Sequence, residues 1–86
     1  MDQAVKFTDE GKRTLQSLHI GNQREIKNAL KELAKDPRVG KALAGSLRGF
    51  YSLRVGKCRA IYSLEGDVIV VHVVGHRRDV YTSLVS

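Results

Sequence analysis

Arginine accounts for most of the positive charge in the second half of the chain, and this suits recognition of phosphate. Between Ser46 and Arg78, six basic residues are opposed only by Glu65 and Asp67. The guanidinium group is planar and donates hydrogen bonds in a fork that matches a phosphate, whereas lysine acts as a point charge. We therefore predict an anion site in preference to a solubilising surface. Its members are Arg48, Arg54, Lys57, Arg59, Arg77 and Arg78.

Two of these arginines fall on one β-hairpin, Phe50 to Leu64. Two alternating stretches flank Gly56-Lys57, and glycine at the first central position is typical of a two-residue type II′ turn. That turn sets Arg54 directly opposite Arg59, and alternation sends both side chains to one face of the sheet. Like charges at directly opposed positions destabilise a sheet. The pair is better explained by an anion that binds there.

The composition limits the protein class. The chain has 86 residues, 15 of them basic and 9 acidic, so the net charge is +6 with a pI near 9.8. A single domain over residues 1–86 is expected, with a polyanionic partner such as RNA, DNA or an acidic protein. One cysteine excludes an internal disulfide and fits a reducing compartment. No stretch resembles a signal peptide or a membrane span, so we expect a soluble cytoplasmic protein.

The elements that must position the arginines can be predicted from patterning. Ala4 to Phe7 is a candidate strand, and Thr8 or Asp9 can cap the helix that follows. A second helix is expected from about Asn22 to Lys35, where Ile26, Ala29, Leu30 and Leu33 form an apolar stripe. Val39 to Gly49 is predicted to be a connector with one helical turn at Lys41 to Ala44.

The hairpin and a final strand complete the fold. Val68 to Val74 is almost wholly β-branched and is predicted to be a strand buried on both faces, followed by a short extra strand or frayed residues at the end of the chain. The order β, α, α, β, β, β predicts an α+β domain, in which an N-terminal strand and a helical hairpin pack on a small, mostly antiparallel four-stranded sheet. The helices should cover the face of Tyr51, Leu53 and Val55. The face of the arginines should remain open, concave and basic.

Several other residues are interpreted as structural. Cys58 lies on the apolar face of the hairpin, without a histidine–acid set that would make it a nucleophile. His72 interrupts the apolar strand and is expected to be a hydrogen-bonded sheet residue. Tyr51 and Tyr62 should pack against each other on the core side. The three histidines and one cysteine lack metal-ligand spacing, so no metal site is predicted.

The order of several short motifs resembles that of the RelE/ParE superfamily of toxin–antitoxin toxins. These are Leu47-Arg48-Gly49, the alternating strand, the tight turn, Cys58-Arg59-Ala60-Ile61-Tyr62, and Gly75-His76-Arg77 with Tyr81 soon after. The resemblance covers almost the whole chain and is closer to the RelE branch, because the late arginine and tyrosine are present. It implies the RelE-like microbial RNase fold.

The resemblance implies an endoribonuclease that enters the ribosomal A site and cleaves mRNA there, thereby inhibiting translation. The 2′-hydroxyl attacks the adjacent phosphate and leaves a 2′,3′-cyclic phosphate, with neither metal nor cofactor. By position, the implied catalytic residues are Arg54, Arg59, Arg77 and Tyr81. We expect the residues around them to bind RNA and the ribosome, namely Arg48, Ser52, Lys57, His76 and Arg78. His76 is the one residue of the site that offers an acid near neutrality for the leaving oxygen, although a loop-end histidine near the site is the simpler interpretation.

One departure from the family keeps other functions open. Many RelE-type toxins have a lysine where this chain has Ser52. A ParE-like toxin that inhibits DNA gyrase without cleaving RNA is the first alternative, and an RNA-binding domain without cleavage is the second. The implied partners are a small, acidic, partly disordered antitoxin and the ribosome with its mRNA and rRNA. No membrane partner is expected.

Overall fold

A computed structural model describes residues 3–76, 78 and 80. The elements follow one another as β1 (Ala4–Phe7), α1 (Asp9–Gln16), α2 (Ile20–Lys35), β2 (Lys41–Ala42), a 3₁₀ turn (Gly45–Leu47), β3 (Phe50–Val55), β4 (Cys58–Glu65) and β5 (Val68–His76). They form the predicted α+β fold, with strand order β1-β5-β4-β3-β2. Among these described strands, β1 and β5 pair in parallel and the other neighbours pair antiparallel. Neither helix in this part of the chain is long and apolar enough to cross a bilayer.

Thr8 caps α1, as predicted, and also ties it to the sheet. Its hydroxyl accepts a hydrogen bond from the Gly11 amide at 3.0 Å and lies 3.3 Å from the carbonyl oxygen of His72 on β5. Asp9 and Glu10 occupy the first turn, where carboxylates interact favourably with the helix dipole. One side chain therefore starts the helix and fixes its position against the central strand.

Helix α2 begins two residues earlier than the sequence predicted. The imidazole Nδ1 of His19 accepts a hydrogen bond from the Gly21 amide at 3.2 Å and so caps the helix. The helix ends at Lys35, immediately before Asp36 and Pro37, because a residue that precedes proline avoids the helical conformation. The buried residues of α2 are Ile26, Leu30, Leu33 and Ala34.

The hairpin has the predicted register throughout. Val55 pairs with Cys58, Arg54 with Arg59, and Tyr51 with Tyr62. Gly56 has a φ of +59°. The second central residue, Lys57, does not have a positive φ, because no non-glycine residue in the described part of the chain has one. This combination fits a type II′ turn, whereas a type I′ turn needs a positive φ at both central residues. The rings of Tyr51 and Tyr62 stack with centroids 5.4 Å apart. They lie on the face that the helices cover, which confirms the predicted core side.

The connector contains a strand where we predicted a helical turn. Lys41 pairs with Ser52 and Ala42 with Tyr51, so β2 adds a fifth strand at the edge of the sheet. The predicted helical turn at Lys41 to Ala44 is therefore wrong, and the 3₁₀ turn forms later, at Gly45–Leu47. Because β2 is only two residues long and both side chains are exposed, it has no periodicity that patterning can detect.

The second face of the sheet carries the arginines but is not open throughout. We call it the arginine face, defined by Phe50, Ser52, Arg54, Arg59 and Ile61. A small apolar cluster covers part of it. In this cluster Ile61, Val73 and Val80 are buried, with Leu43 and Phe50 packed against them. The predicted open surface is thus restricted to the end of the sheet near the hairpin turn. The prediction that Val68 to Val74 is buried on both faces holds only in part: Val73 and Val74 are both buried, whereas Val68, Val70 and His72 are half-buried.

An irregularity in β5 explains how His72 fits into an apolar strand. Tyr62 pairs with Val71 whereas Ile61 pairs with Val73, so His72 is the extra residue of a bulge. Its imidazole Nε2 lies 2.7 Å from the hydroxyl of Ser63, and its ring meets Phe50 edge to face. His72 is therefore a hydrogen-bonded sheet residue, as the sequence predicted.

Candidate nucleic-acid interface

Two strands of the hairpin present the central arginine pair. Arg54 on β3 and Arg59 on β4 are Cα partners in the antiparallel register, and residues directly opposite each other point to the same face. Arg54 is exposed and Arg59 is half-buried. Backbone pairing and the tight turn thus hold two cations side by side, without any loop whose conformation would have to adjust.

Ser52 contributes to the position of Arg59. The Nη1 atom of Arg59 lies 3.4 Å from the Ser52 hydroxyl oxygen, which accepts a long hydrogen bond. Ser52 is only 4% exposed, so its hydroxyl does not present itself to a large ligand. Arg59 is directly opposite Arg54, and Ser52 lies two residues before Arg54 on β3. The contact therefore shows that the Arg59 side chain extends diagonally across the hairpin, away from the turn.

The hairpin turn adds Lys57 to the site. A small cavity of about 170 Å³ is lined by Arg54, Gly56, Lys57, Cys58 and Arg59. Its lining is mostly cationic and glycine provides its backbone wall, so its chemistry suits an anionic group. This cavity brings together three of the residues that the sequence predicted for the site.

Carboxylates do not neutralise this cluster within the described part of the chain. The ion pairs there join neighbouring residues in sequence, on the helices or just after them: Arg13 with Glu10, Lys35 with Glu32, and Arg38 with Asp36. Glu25 of α2 approaches the turn on the helix side, where an added Cβ on Gly56 would lie 3.0 Å from its Oε2 atom. Among the residues that the structure describes, no carboxylate therefore pairs with a cation of the arginine face.

A further cation, which sequence patterns did not predict for the site, lies next to Ser52 on the neighbouring strand. Lys41 is the Cα partner of Ser52, and Leu43, two residues further on, belongs to the apolar cluster of the arginine face. Both observations place Lys41 on that face. In the sequence, the spacing of Lys41 and Leu43 by two residues is the one sign that they share a strand face. A pattern of two residues is too short to predict a strand.

The remaining predicted residues are distributed differently. Arg48 follows the 3₁₀ turn and is exposed, as is Arg78. His76 ends β5 and pairs with Cys58, which belongs to the helix-side core, so the register does not bring His76 next to the arginine pair. Arg77 and Tyr81 lie outside the described residues.

Burial makes the thiol of Cys58 unreactive. Cys58 is 2% exposed, and burial together with the charge of Glu25 raises the pKa of its thiol. A protonated, inaccessible thiol is a poor nucleophile, so the residue serves packing. Among the described residues, the groups that can act on a ligand at this face are thus the cations of β2, β3 and β4 and of the hairpin turn.

Comparison with known proteins places the chain among toxins. A family model described as "ParE toxin of type II toxin-antitoxin system, parDE" matches residues 5–81. Toxin RelG of Mycobacterium tuberculosis is 33% identical over 85 residues, which cover 94% of this chain and 98% of the relative.

Solved structures agree with the fold. The crystal structure of the RelBE2 toxin–antitoxin complex of Mycobacterium tuberculosis matches with a TM-score of 0.83 and 31% identity, covering 90% of this chain and 100% of that chain. The isolated RelE toxin of E. coli matches with a TM-score of 0.75 over 96% of this chain and 95% of that chain. At 21% identity, the second match supports the fold alone.

Proposed function

This chain belongs to the RelE/ParE superfamily of toxins from type II toxin–antitoxin systems, and we propose that it is a ribosome-dependent endoribonuclease that cleaves mRNA in the A site. The observation that carries the proposal is the Arg54–Arg59 pair, which opposes two like charges on one sheet face. Such an arrangement costs stability in the free protein and becomes favourable when a phosphate binds.

The transition state of this reaction is stabilised mainly by positive charge placed next to the phosphate. As the 2′-oxygen attacks phosphorus and the bond to the 5′-oxygen breaks, negative charge accumulates on the nonbridging oxygens. Cations held in advance at that point stabilise the transition state, and removal of one such donor typically lowers the rate by roughly 100- to 1000-fold. In this proposal Arg54 and Arg59 fill that role, and Arg59 is oriented by its contact with Ser52.

Proton transfer completes the reaction. The 2′-hydroxyl must lose a proton and the leaving 5′-oxygen must gain one, so that a cyclic phosphate and a free 5′-hydroxyl result. We assign the first transfer to Tyr81 and a third phosphate contact to Arg77. Both assignments rest on the resemblance of the motif around Gly75 to that of the RelE branch. His76 pairs with Cys58 on the helix side, so we assign the second transfer to a water molecule, which protonates the leaving 5′-oxygen.

Primer extension on translating ribosomes tests the proposal. We expect cuts within ribosome-bound codons, 2′,3′-cyclic phosphate at the new ends, and no cleavage of the same mRNA without ribosomes. Arg54→Ala should lower the rate by roughly 100-fold or more. The matched control is Lys12→Ala, which removes one exposed charge from α1. Intact ribosome-bound mRNA at high protein concentration would refute the proposal.

Inhibition of DNA gyrase is the second candidate, and the match to a ParE family model favours it. Under this alternative the arginines would serve docking, and Ser52, at a position where many RelE-type toxins carry a lysine, would reflect the absence of cleavage. A supercoiling assay separates the two functions. Blocked supercoiling together with intact mRNA would support gyrase inhibition. Ribosome binding without either effect would indicate an RNA-binding domain that does not cleave.

An antitoxin is the expected partner, since the RelBE2 match is a toxin–antitoxin complex. We propose that it is acidic, that part of it folds on binding, and that it neutralises or displaces the cations of the arginine face. This predicts that toxin bound to its antitoxin loses its affinity for ribosomes. Retained affinity in the complex would contradict this mode of inhibition.

A groove between β1 and α2 suits one segment of that partner. It has a volume of about 420 Å³, with walls formed by Gln3, Val5, Phe7, Leu30 and Ala34 and with Lys27 and Lys31 at its rim. An amphipathic segment with apolar residues on one side and acidic residues on the other would match it. Lys27→Glu combined with Lys31→Glu should weaken antitoxin binding and leave cleavage unchanged; unchanged antitoxin affinity would exclude the groove.

A further inference from the structure

Lys41 lies at a position on the edge of the sheet where it can take part in phosphate binding. It is directly opposite Ser52 in the β2–β3 register, so it shares the arginine face. Directly opposed residues in antiparallel strands have Cα atoms about 4.5–5.5 Å apart. The flexible four-carbon stem of lysine therefore allows its ammonium group to reach the surface above Ser52.

Arg59 approaches the same point from the other side. Its Nη1 atom lies 3.4 Å from the Ser52 hydroxyl, which means that the guanidinium group extends from β4 toward β3. Lys41 extends from β2, on the opposite flank of β3. Two cations from different strands thus flank one small, buried side chain, and a larger residue than serine would separate them.

Lys41 is exposed, and within the part of the chain that the structure describes no carboxylate pairs with it. The nearest elements on that face contribute the apolar Leu43 and Phe50 and the cation Arg59. A lysine next to an arginine without an acid between them gains from an anion that binds both.

The backbone that leads to Lys41 is held by the core. The Tyr62 hydroxyl donates a hydrogen bond to the carbonyl oxygen of Pro37 at 2.9 Å. Gly40 packs so closely on the same phenol that an added Cβ would lie 2.0 Å from its oxygen. Because Tyr62 is fully buried, the start of β2 is anchored, and Lys41 has a defined position before any ligand arrives.

We propose that Lys41 is a further phosphate-binding residue, which contacts the mRNA backbone together with Arg59 above Ser52. This inference rests on the proposed nuclease function. It also gives a reason for Ser52: the cation absent from β3 is present on the neighbouring strand, at the directly opposed position, and the small serine leaves both flanking cations room to reach one phosphate.

The test compares Lys41→Ala, Lys41→Arg and the matched control Lys12→Ala. The readouts are kcat/KM for cleavage of ribosome-bound mRNA and affinity for ribosomes carrying an mRNA with a 2′-deoxy nucleotide at the cut site. Since a hydrogen bond to a charged group contributes about 1.5–3 kcal/mol, Lys41→Ala should lower kcat/KM by roughly 10- to 150-fold. The slope of log affinity against log salt should fall by about 0.7–0.9. Lys41→Arg should retain most of both.

A charge-shift variant distinguishes a phosphate contact from a general effect of charge. Lys41→Ala combined with Ala42→Lys keeps the net charge, but Ala42 pairs with Tyr51 and therefore faces the helix side. No recovery of kcat/KM is expected, and recovery would overturn the proposal. If the wild-type protein fails to cleave, the proposed function is wrong; if it cleaves and Lys41→Ala behaves like Lys12→Ala, only the assignment of Lys41 is wrong.

Discussion

Replacing Arg54 with glutamine should make the protein more stable while making it less active. Arg54 and Arg59 are directly opposed on the hairpin, and no ion pair with a carboxylate involves either of them within the described residues. Glutamine keeps part of the aliphatic stem and removes the charge. The hydrogen bond from Arg59 to Ser52 does not involve Arg54 and should persist.

The size of the effect follows from the geometry. For guanidinium groups about 7 Å apart in a water-like dielectric, Coulomb repulsion is about 0.6 kcal/mol. The energies of side-chain pairs at opposed strand positions fall in the same range, roughly 0.2–1 kcal/mol, and are unfavourable for like charges. For a domain of this size, 1 kcal/mol moves the melting temperature by about 4–8 °C. From the Coulomb figure, Arg54→Gln should therefore raise Tm by roughly 2–5 °C at low salt.

Thermal unfolding at low and high salt measures the effect. In about 1 M salt the Debye length is near 3 Å, so the difference between Arg54→Gln and wild type should almost vanish. Lys6→Gln is the matched control. Lys6 is exposed, lies on β1, and is three strand positions from Arg54 in the order of the sheet. The control should change Tm by much less, because Lys6 is directly opposite the uncharged Val70 and so has no opposed like charge to relieve.

The same variant should lose cleavage by roughly 100- to 1000-fold if Arg54 stabilises the transition state. An unchanged or lower Tm at low salt would refute the reasoning, because the inference of an anion site began from the cost of this pair. A higher Tm with unchanged cleavage would confirm the repulsion between Arg54 and Arg59 but show that Arg54 does not take part in cleavage.

Three further predictions concern stability and reactivity. Burial lowers the pKa of His72, against a smaller opposing effect of Glu65; since the folded state favours the neutral ring, its contribution is complete above the ordinary pKa of about 6.5 and is lost as pH falls through the lowered value. Urea unfolding at pH 7.5 and 5.0 should show a larger loss for wild type than for His72→Gln, and parallel losses would contradict this. Native Cys58 should resist a thiol reagent until urea unfolds the protein, because its thiol is buried and its pKa is raised; rapid reaction of the native protein would show that the site opens. Gly40→Ala should lower the free energy of unfolding by about 1–3 kcal/mol, because the added Cβ overlaps the Tyr62 phenol; the neighbouring exposed control Val39→Ala should cost less than about 0.5 kcal/mol, and equal losses in urea titrations would contradict the packing argument.

The hairpin was predictable because its information is local. A glycine at the first position of a two-residue turn fixes which residues oppose each other, and alternation then fixes their faces. The register and the opposition of Arg54 and Arg59 are therefore confirmed. The stripe on α2 predicted its buried side in the same way, since helical periodicity extends over four turns.

The elements that escaped prediction depend on distant partners. Strand β2 consists of two exposed residues and exists only because β3 is beside it. The bulge at His72 depends on the pairing of β4 with β5. Consequently Arg54 and Arg59 could be assigned to one site from the sequence, whereas Lys41 could not, because its face is defined by a strand partner eleven positions away.

The parallel pairing of β1 with β5 has a consequence for the order of folding. Ala4 pairs with Val68, and the amide of Thr8 donates to the carbonyl oxygen of Val71 at 3.0 Å. Contacts so distant in sequence close large loops and form slowly, and an isolated two-stranded hairpin is marginally stable at best. In a chain synthesised from its N-terminus, β1 waits unpaired until β5 has been made. The arginine hairpin therefore precedes the sheet that supports it, and a competent basic face is a late product of synthesis.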